Sequence, residues 1–246
     1  MQLHVKDGHI RVEKMKNIQQ EKQEANFYCL SKMMEREIDV PYLSKNEDGL
    51  FVHEDYARFA ALELLIEEVK KIDGYPDAAL AELGVFRGKT ARCINEKFPD
   101  RKFYLFDTFT GFDSRDVAVE IAEKYTSAEF AYEGRFSNTV VENVLASMKY
   151  PEKCVLCKGY FPETIPQEDI NYLLVSMDCD LYNPVYEGLM YFYPRLVQGG
   201  YIMLHDYNNN ERWLGVKKAL AECEKVFGHI CKVPLPDRAG SLVITK

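Results

Sequence analysis

Between residues 54 and 72, apolar side chains recur at helical spacing. Phe59, Leu62, Leu65, Ile66 and Val69 fall on one side, and Glu63, Glu67, Lys70 and Lys71 on the other. The pattern predicts an amphipathic helix that stops at Asp73-Gly74-Tyr75-Pro76. Beyond Pro76 the period changes. Short apolar runs at 78–83, 102–106, 155–156, 172–177 and 201–204 read as strands, and 89–97, 138–148, 186–196 and 216–227 read as helices between them. Strands alternating with helices predict an α/β fold, a mostly parallel sheet with helices on both faces. Residues 230–233 and 241–245 flank a Pro-Asp-Arg-Ala-Gly turn region and predict a C-terminal antiparallel hairpin at the sheet edge. The start of the chain differs. Residues 15–38 are rich in Gln, Glu, Lys and Met and are predicted helical, with loops at Val40-Pro41 and Asn46-Glu47-Asp48-Gly49. The expected organisation is an accessory, mostly helical segment over 1–52 and one α/β domain over 53–246.

The predicted strands end in glycine or a carboxylate: Gly84, Asp107, Asp178, and His205-Asp206. Ligands of open parallel sheets bind at that carboxyl edge, where the strand order reverses. In Ala81-Glu82-Leu83-Gly84-Val85-Phe86-Arg87-Gly88-Lys89-Thr90, Gly84 lets the chain turn and lets a ligand approach the backbone. Gly84 and Gly88 with no glycine at 86 do not fit G-x-G-x-x-G, which counts against a dinucleotide; an ordinary β–α turn is the alternative. Asp107 ends the next strand, where a carboxylate can accept both hydroxyls of an adenosine ribose. Asp178, Asp180 and Asp206 lie on strands expected to be neighbours. They offer hard oxygen donors suited to Mg²⁺, Ca²⁺ or Mn²⁺, with His205 a further ligand or a proton acceptor. The same aspartates would also suit helix caps or a cofactor amine.

Hydrophobic residues make up 47% and charged residues 28%, as in a soluble globular protein. The net charge is −8, from 31 basic and 39 acidic residues without a basic arm, which argues against nucleic acid or a membrane surface and for a small-molecule partner. No apolar run approaches the ~20 residues of a membrane helix. Met1-Gln2-Leu3-His4-Val5-Lys6-Asp7 lacks the core of a signal peptide, so a cytoplasmic location is expected. Of the seven cysteines, Cys154 and Cys157 have redox or metal spacing. They lie in a strand-like run without a second pair, and are expected to be buried or half-buried reduced thiols.

Four ordered blocks carry a resemblance. They are Glu82-Leu83-Gly84-Val85-Phe86-Arg87-Gly88; Leu105-Phe106-Asp107-Thr108-Phe109-Thr110-Gly111-Phe112; Asp178-Cys179-Asp180-Leu181-Tyr182 with Tyr193-Pro194-Arg195-Leu196; and Gly199-Gly200-Tyr201-Ile202-Met203-Leu204-His205-Asp206-Tyr207. A weaker block is Lys158-Gly159-Tyr160-Phe161-Pro162-Glu163-Thr164-Ile165-Pro166. Together they resemble the macrocin O-methyltransferase family, which methylates sugar hydroxyls of macrolides and related natural products. The resemblance implies a Rossmann-like class I methyltransferase fold with a seven-stranded sheet, using S-adenosylmethionine and Mg²⁺. By that resemblance Glu82, Gly84, Val85 and Gly88 would line the methionine part of the cofactor. Asp107 would hold the ribose beside Thr108 and Phe109, and Gly159, Tyr160 and Phe161 would border the adenine. Asp178 would touch the cofactor too, and the metal would fall to Asp178 or Asp180 together with Asp206.

The chain departs from the family in two places. The family's final block carries two adjacent aspartates, and the first is here His205; its Asp-Gly-Asp is here Asp178-Cys179-Asp180. Catalysis is expected to rest on Asp178 and on His205 as the base. The stretch from Thr110 to Phe136 reads as a lid. A sugar-containing small molecule is the expected acceptor, and a homodimer is the expectation for a soluble enzyme. The competing readings are a catechol-type enzyme with a phenolic acceptor and a catalytically idle cofactor-binding protein. A nicotinamide oxidoreductase fits less well, because the glycine spacing is wrong.

Overall fold

The computed structural model describes residues 44–45, 51–52, 56–209 and 212–246, so the helix predicted over 15–38 lies outside the described residues. The chain divides into two compact units, Met1–Glu54 and Asp55–Lys246. In the first, Ser44–Lys45 pairs antiparallel with Phe51–Val52.

Helix α1 spans Tyr56–Val69. Phe59, Leu62, Ile66 and Val69 are buried as their spacing predicts, while Leu65 is only half-buried. Glu63 corrects the expected polar face: it is 7% exposed, and its carboxylate meets Lys97 Nζ at 3.1 Å. The strands are β1 (Ala79–Leu83), β2 (Phe103–Asp107), β3 (Cys154–Lys158), β4 (Tyr172–Met177), β5 (Leu196–Leu204), β6 (Lys232–Pro234) and β7 (Leu242–Thr245). They form a seven-stranded sheet in the order β3-β2-β1-β4-β5-β7-β6. The first five run parallel, and β7 pairs antiparallel with β5 and with β6. The expected parallel sheet with a C-terminal antiparallel pair is therefore what forms. Every residue of β1 and β4 is buried, which explains why these central strands read as apolar runs broken only by Glu82 and Ser176. The order reverses between them, so the switch point lies at Gly84 and Asp178.

The other helices are α2 (Lys89–Asn95), α3 (Ser114–Ala122), α4 (Val141–Ala146), α5 (Tyr182–Arg195) and α6 (Leu214–Phe227). Helix α5 begins four residues before its predicted start. Pro184 looks like a breaker in the sequence, but it sits in the first turn, where its missing N–H costs nothing. An aromatic cluster anchors α5 to the sheet. Phe192 lies 5.0 Å from the Tyr172 ring and 5.7 Å from Phe106, and the Tyr172 and Tyr191 hydroxyls share a hydrogen bond of 3.1 Å. Each such buried ring contributes about 1.5–3 kcal/mol. Cys154 and Cys157 are free thiols, three residues apart along β3 and so on opposite faces. Burial pushes both up to about 11. Among the described residues no helix is long and apolar enough to cross a membrane.

The stretch expected as a lid contains α3, a helix the apolar pattern did not show. Asp113 caps it by accepting Arg115 N–H at 2.9 Å. Its buried face is acidic. Tyr160 Oη donates to Asp116 Oδ1 at 2.8 Å, Asn183 Nδ2 donates to the same oxygen at 3.0 Å, and Tyr182 N–H donates to Glu120 Oε1. The two ends of the stretch are tied together by Phe112 N–H to Arg135 O and Gly134 N–H to Phe112 O, each 3.0 Å.

Candidate active site

At the switch point the backbones of two strand ends touch. Gly84 stands at φ +88°, and a Cβ there would lie 2.1 Å from the Asp178 carbonyl oxygen. No side chain fits, so the residue type follows from the crossing. Beside it opens a cavity of about 490 Å³.

The floor is acidic. Glu82 is 1% exposed, and its Oε2 has no hydrogen-bond partner among the described residues. Burial, reinforced by the Asp178 charge, pushes its carboxyl well above the usual range, and Arg58 opposes this only in part. Asp178 accepts Arg58 Nη2 on Oδ2 at 2.9 Å and faces His205 Nδ1 with Oδ1 at 2.9 Å. Removal from water would raise its pKa, but the His205 and Arg58 charges outweigh that and hold it well below the carboxylate range. His205 Nδ1 also lies 2.8 Å from Asp206 Oδ2, and Asn209 Nδ2 donates to Asp206 Oδ1 at 2.7 Å. Burial disfavours the imidazolium, yet the carboxylates prevail and push His205 up to about 12. Asp180 is the odd member. Burial and the Asp206 and Asp178 charges push its carboxyl well above the usual range, and it hydrogen-bonds Asp206. Asp180 and Asp206 stand at φ +60° and +59°, a conformation in which non-glycine residues store strain.

Asp178, His205 and Asp206 each offer one donor atom, all within 4.8 Å of one another. An octahedral cation about 2.1 Å from its ligands sets neighbouring donors about 3 Å apart. The two distances at His205 Nδ1 match that edge as well as a hydrogen bond, so the donor set fits a divalent cation that takes the place of the Nδ1 proton. Sequence reasoning named Asp178, Asp180 and Asp206, with His205 a further ligand; the three whose donor atoms converge are Asp178, His205 and Asp206, and Asp180 hydrogen-bonds Asp206 beside them.

On the β2 side, Asp107 Oδ2 accepts Phe86 N–H at 2.8 Å and Oδ1 accepts Phe109 N–H at 2.6 Å. These bonds tie the loops after β1 and β2 together, and each oxygen keeps a lone pair for a ligand. Thr108 lines the cavity and spends its hydroxyl on Gly111 O at 2.6 Å. Val85, Gly159, Tyr160 and Phe161 also line it, along with Asp180, His205 and Asp206. Two expected residues do not. Gly88 stands at φ +75° as the N-cap of α2, with Val144 Cγ1 2.8 Å from where a Cβ would be. Phe109 is 4% exposed and contributes its N–H to Asp107 rather than its ring to the cavity.

Arg58 was missed. It is 6% exposed, pairs with Asp178 and donates to Thr90 Oγ1 at 2.9 Å. Its signal was present: positions 58, 62 and 66 share one helical stripe, so Arg58 is a cation on the apolar face. Asp116 was missed as well, and its partner Tyr160 is 44 residues away.

A family model described as Macrocin-O-methyltransferase (TylF) matches residues 8–230. No curated protein sequence matches the chain. Among solved structures, the calicheamicin methyltransferase CalS11 is 24% identical, with a TM-score of 0.60 over 75% of this chain and 77% of that one. The O-methyltransferase NovP is 21% identical, with a TM-score of 0.57 over 76% and 79%. A putative O-methyltransferase from Klebsiella pneumoniae is 13% identical, with a TM-score of 0.50 over 84% of each chain. These likenesses establish the class I methyltransferase fold. The family match covers nearly the whole length, and on it the chain belongs to the macrocin O-methyltransferase family and is an S-adenosylmethionine-dependent O-methyltransferase.

Proposed function

We propose that the protein methylates a sugar hydroxyl of a small-molecule acceptor in the cytoplasm, with a divalent cation held by Asp178, His205 and Asp206. The observation that carries this reading is the acidic cavity floor at the Gly84–Asp178 crossing. Its unpartnered Glu82 oxygen and its close-set donors suit a positively charged methyl donor and a cation side by side.

When bound, S-adenosylmethionine supplies a methyl group on a sulfonium that leaves as a neutral thioether. A cation at Asp178, His205 and Asp206 would supply a lowered pKa at the acceptor hydroxyl. The chain's own residues do the rest. Glu82 Oε2 receives the cofactor ammonium. Asp107, fixed by two backbone donors, accepts the ribose hydroxyls on its remaining lone pairs. Arg58 holds Asp178 in place. With His205 given to the cation, the base we favour is Asp180, which lines the cavity; its acidic neighbours hold a proton on it in the metal-free site, and the positive charge of a bound cation would release that proton. Holding the hydroxyl in line with the methyl group contributes a large share of the acceleration.

Calorimetric titration of S-adenosylhomocysteine, first with Mg²⁺ and then with chelator, tests the cofactor half. Micromolar binding in both conditions is expected, and no binding in either refutes it. Asp206→Ala tests the other half: turnover should vanish while S-adenosylhomocysteine still binds. Undiminished turnover would remove the cation from the mechanism.

A further inference from the structure

The three donor atoms that converge at the cavity floor are not alike. Asp178 and Asp206 each offer an oxygen, and His205 offers a ring nitrogen. Backbone pairing puts the nitrogen there. His205 N–H donates to Met177 O at 2.9 Å, which extends the β4–β5 register by one residue and carries the imidazole to the carboxyl end of β4. Nδ1 then stands 2.9 Å from Asp178 Oδ1 and 2.8 Å from Asp206 Oδ2. The other oxygen of each carboxylate is already taken. Asp178 Oδ2 accepts Arg58 Nη2 at 2.9 Å, and Asp206 Oδ1 accepts Asn209 Nδ2 at 2.7 Å. Asn209 is fixed in turn, because its carbonyl accepts the Trp213 N–H at 3.1 Å at the start of α6. Each carboxylate therefore presents a single oxygen toward Nδ1, and a cation held by this set meets one nitrogen and two oxygens.

Such a set discriminates among cations. Mg²⁺ is a hard ion that prefers carboxylate and water oxygens and gains little from imidazole. The first-row transition ions accept the same oxygens and bond imidazole nitrogen with strength rising from Mn²⁺ through Co²⁺. Charge acts in the same direction. The Arg58 guanidinium lies against one of the two carboxylates, so part of their negative charge is already offset. That loss weakens an ion held by charge alone more than one that also bonds the ring nitrogen. Ca²⁺, which takes six to eight oxygens, matches a nitrogen-bearing set of three least well. We propose that His205 makes this a transition-metal site, selective for Mn²⁺ and the later first-row ions over the Mg²⁺ expected from the family resemblance. His205 sets the identity of the metal, and Asn209 is a positioning residue that turns the free oxygen of Asp206 toward it. This inference rests on the cation reading above and names the ion for the same three ligands.

The test is calorimetric titration of Mg²⁺, Mn²⁺ and Co²⁺ into the chelator-treated full chain saturated with S-adenosylhomocysteine, joined to pulsed EPR of the Mn²⁺ complex. Mn²⁺ should bind about tenfold or more tightly than Mg²⁺, and Co²⁺ more tightly again. The Mn²⁺ spectrum should carry a coupling to a histidine ring nitrogen. His205→Asp should lose that coupling and reduce the ratio of Mn²⁺ to Mg²⁺ affinity about fivefold or more. Asn209→Ala leaves all three ligands in place; it should lower Mn²⁺ affinity about tenfold or more while the nitrogen coupling persists. Undiminished Mn²⁺ affinity in that variant would refute the part assigned to Asn209. Mg²⁺ binding as tightly as Mn²⁺, or a wild-type Mn²⁺ complex without the nitrogen coupling, would overturn the proposal, and neither result depends on a variant that folds. Failure of all three ions to bind would instead overturn the cation reading beneath it, and failure of S-adenosylhomocysteine to bind would overturn the cofactor half.

Discussion

Glu120 ties the stability of the protein to pH in a direction opposite to that of most carboxylates. Its side chain is 0% exposed, Oε1 accepts Tyr182 N–H and Oε2 has no partner among the described residues. Burial raises its pKa from 4.5 to about 7, with the Tyr182 N–H opposing and the Asp116 charge adding. The folded state therefore binds this proton more tightly than the unfolded chain does. Its stabilising effect is complete below the unfolded value and is lost as pH rises through the folded one. A shift from 4.5 to about 7 corresponds to about 3 kcal/mol, most of which falls between pH 5 and pH 8. Glu120→Gln keeps the acceptor for Tyr182 and removes the titration. The variant should match the wild type below about pH 4.5 and exceed its stability by about 3 kcal/mol at pH 8. Trp213 is the sole tryptophan, 5% exposed and 5.9 Å from Phe112, so its fluorescence during urea unfolding reports on this region. The quantity to follow is the difference between the two proteins across pH, since other groups titrate in both. Parallel stability curves would refute the reasoning.

Three further outcomes follow from the site. Gly84→Ala should abolish S-adenosylhomocysteine binding or prevent soluble expression, because the new Cβ would meet the Asp178 carbonyl at 2.1 Å; calorimetry and yield read this. Arg58→Met removes one of the two cations that meet Asp178 and leaves His205 as the other, so it should cost about 1–3 kcal/mol in chemical denaturation. Asp107→Asn turns a donor toward one of two backbone N–H groups, so S-adenosylhomocysteine affinity should fall about tenfold or more by calorimetry.

Much of the site was legible because it is written locally. In a parallel sheet, whatever follows a strand stands at its carboxyl edge, so Gly84, Asp107, Asp178 and Asp206 announced themselves by position alone. Helix α3 was hidden for a physical reason. Asp116 and Glu120 have the i, i+4 spacing of a buried stripe, but the stripe is charged, and a search for apolar periodicity passes over it. Arg58 was hidden in the same way on an apolar stripe. Partnerships such as Tyr160 with Asp116 and Phe86 with Phe136 join distant segments, and no local pattern encodes them. The placement of His205 between Asp178 and Asp206, with Asp180 against Asp206, needed distances. Spacing placed these residues at the strand ends but could not show which nitrogen faced which oxygen.

The tie between Phe112 and Gly134-Arg135 has a consequence for how such proteins diversify. Its two hydrogen bonds of 3.0 Å close the stretch into a loop with adjacent ends, and Gly111 packs so tightly that a Cβ would sit 2.4 Å from Arg135 O. Chain inserted or exchanged between those ends need not disturb the sheet or the cofactor floor. Residues 113–133 thus form a segment that can be exchanged with its ends left in place, but an exchange that loses Asp116 or Glu120 leaves Tyr160, Asn183 and the Tyr182 N–H without their acceptors.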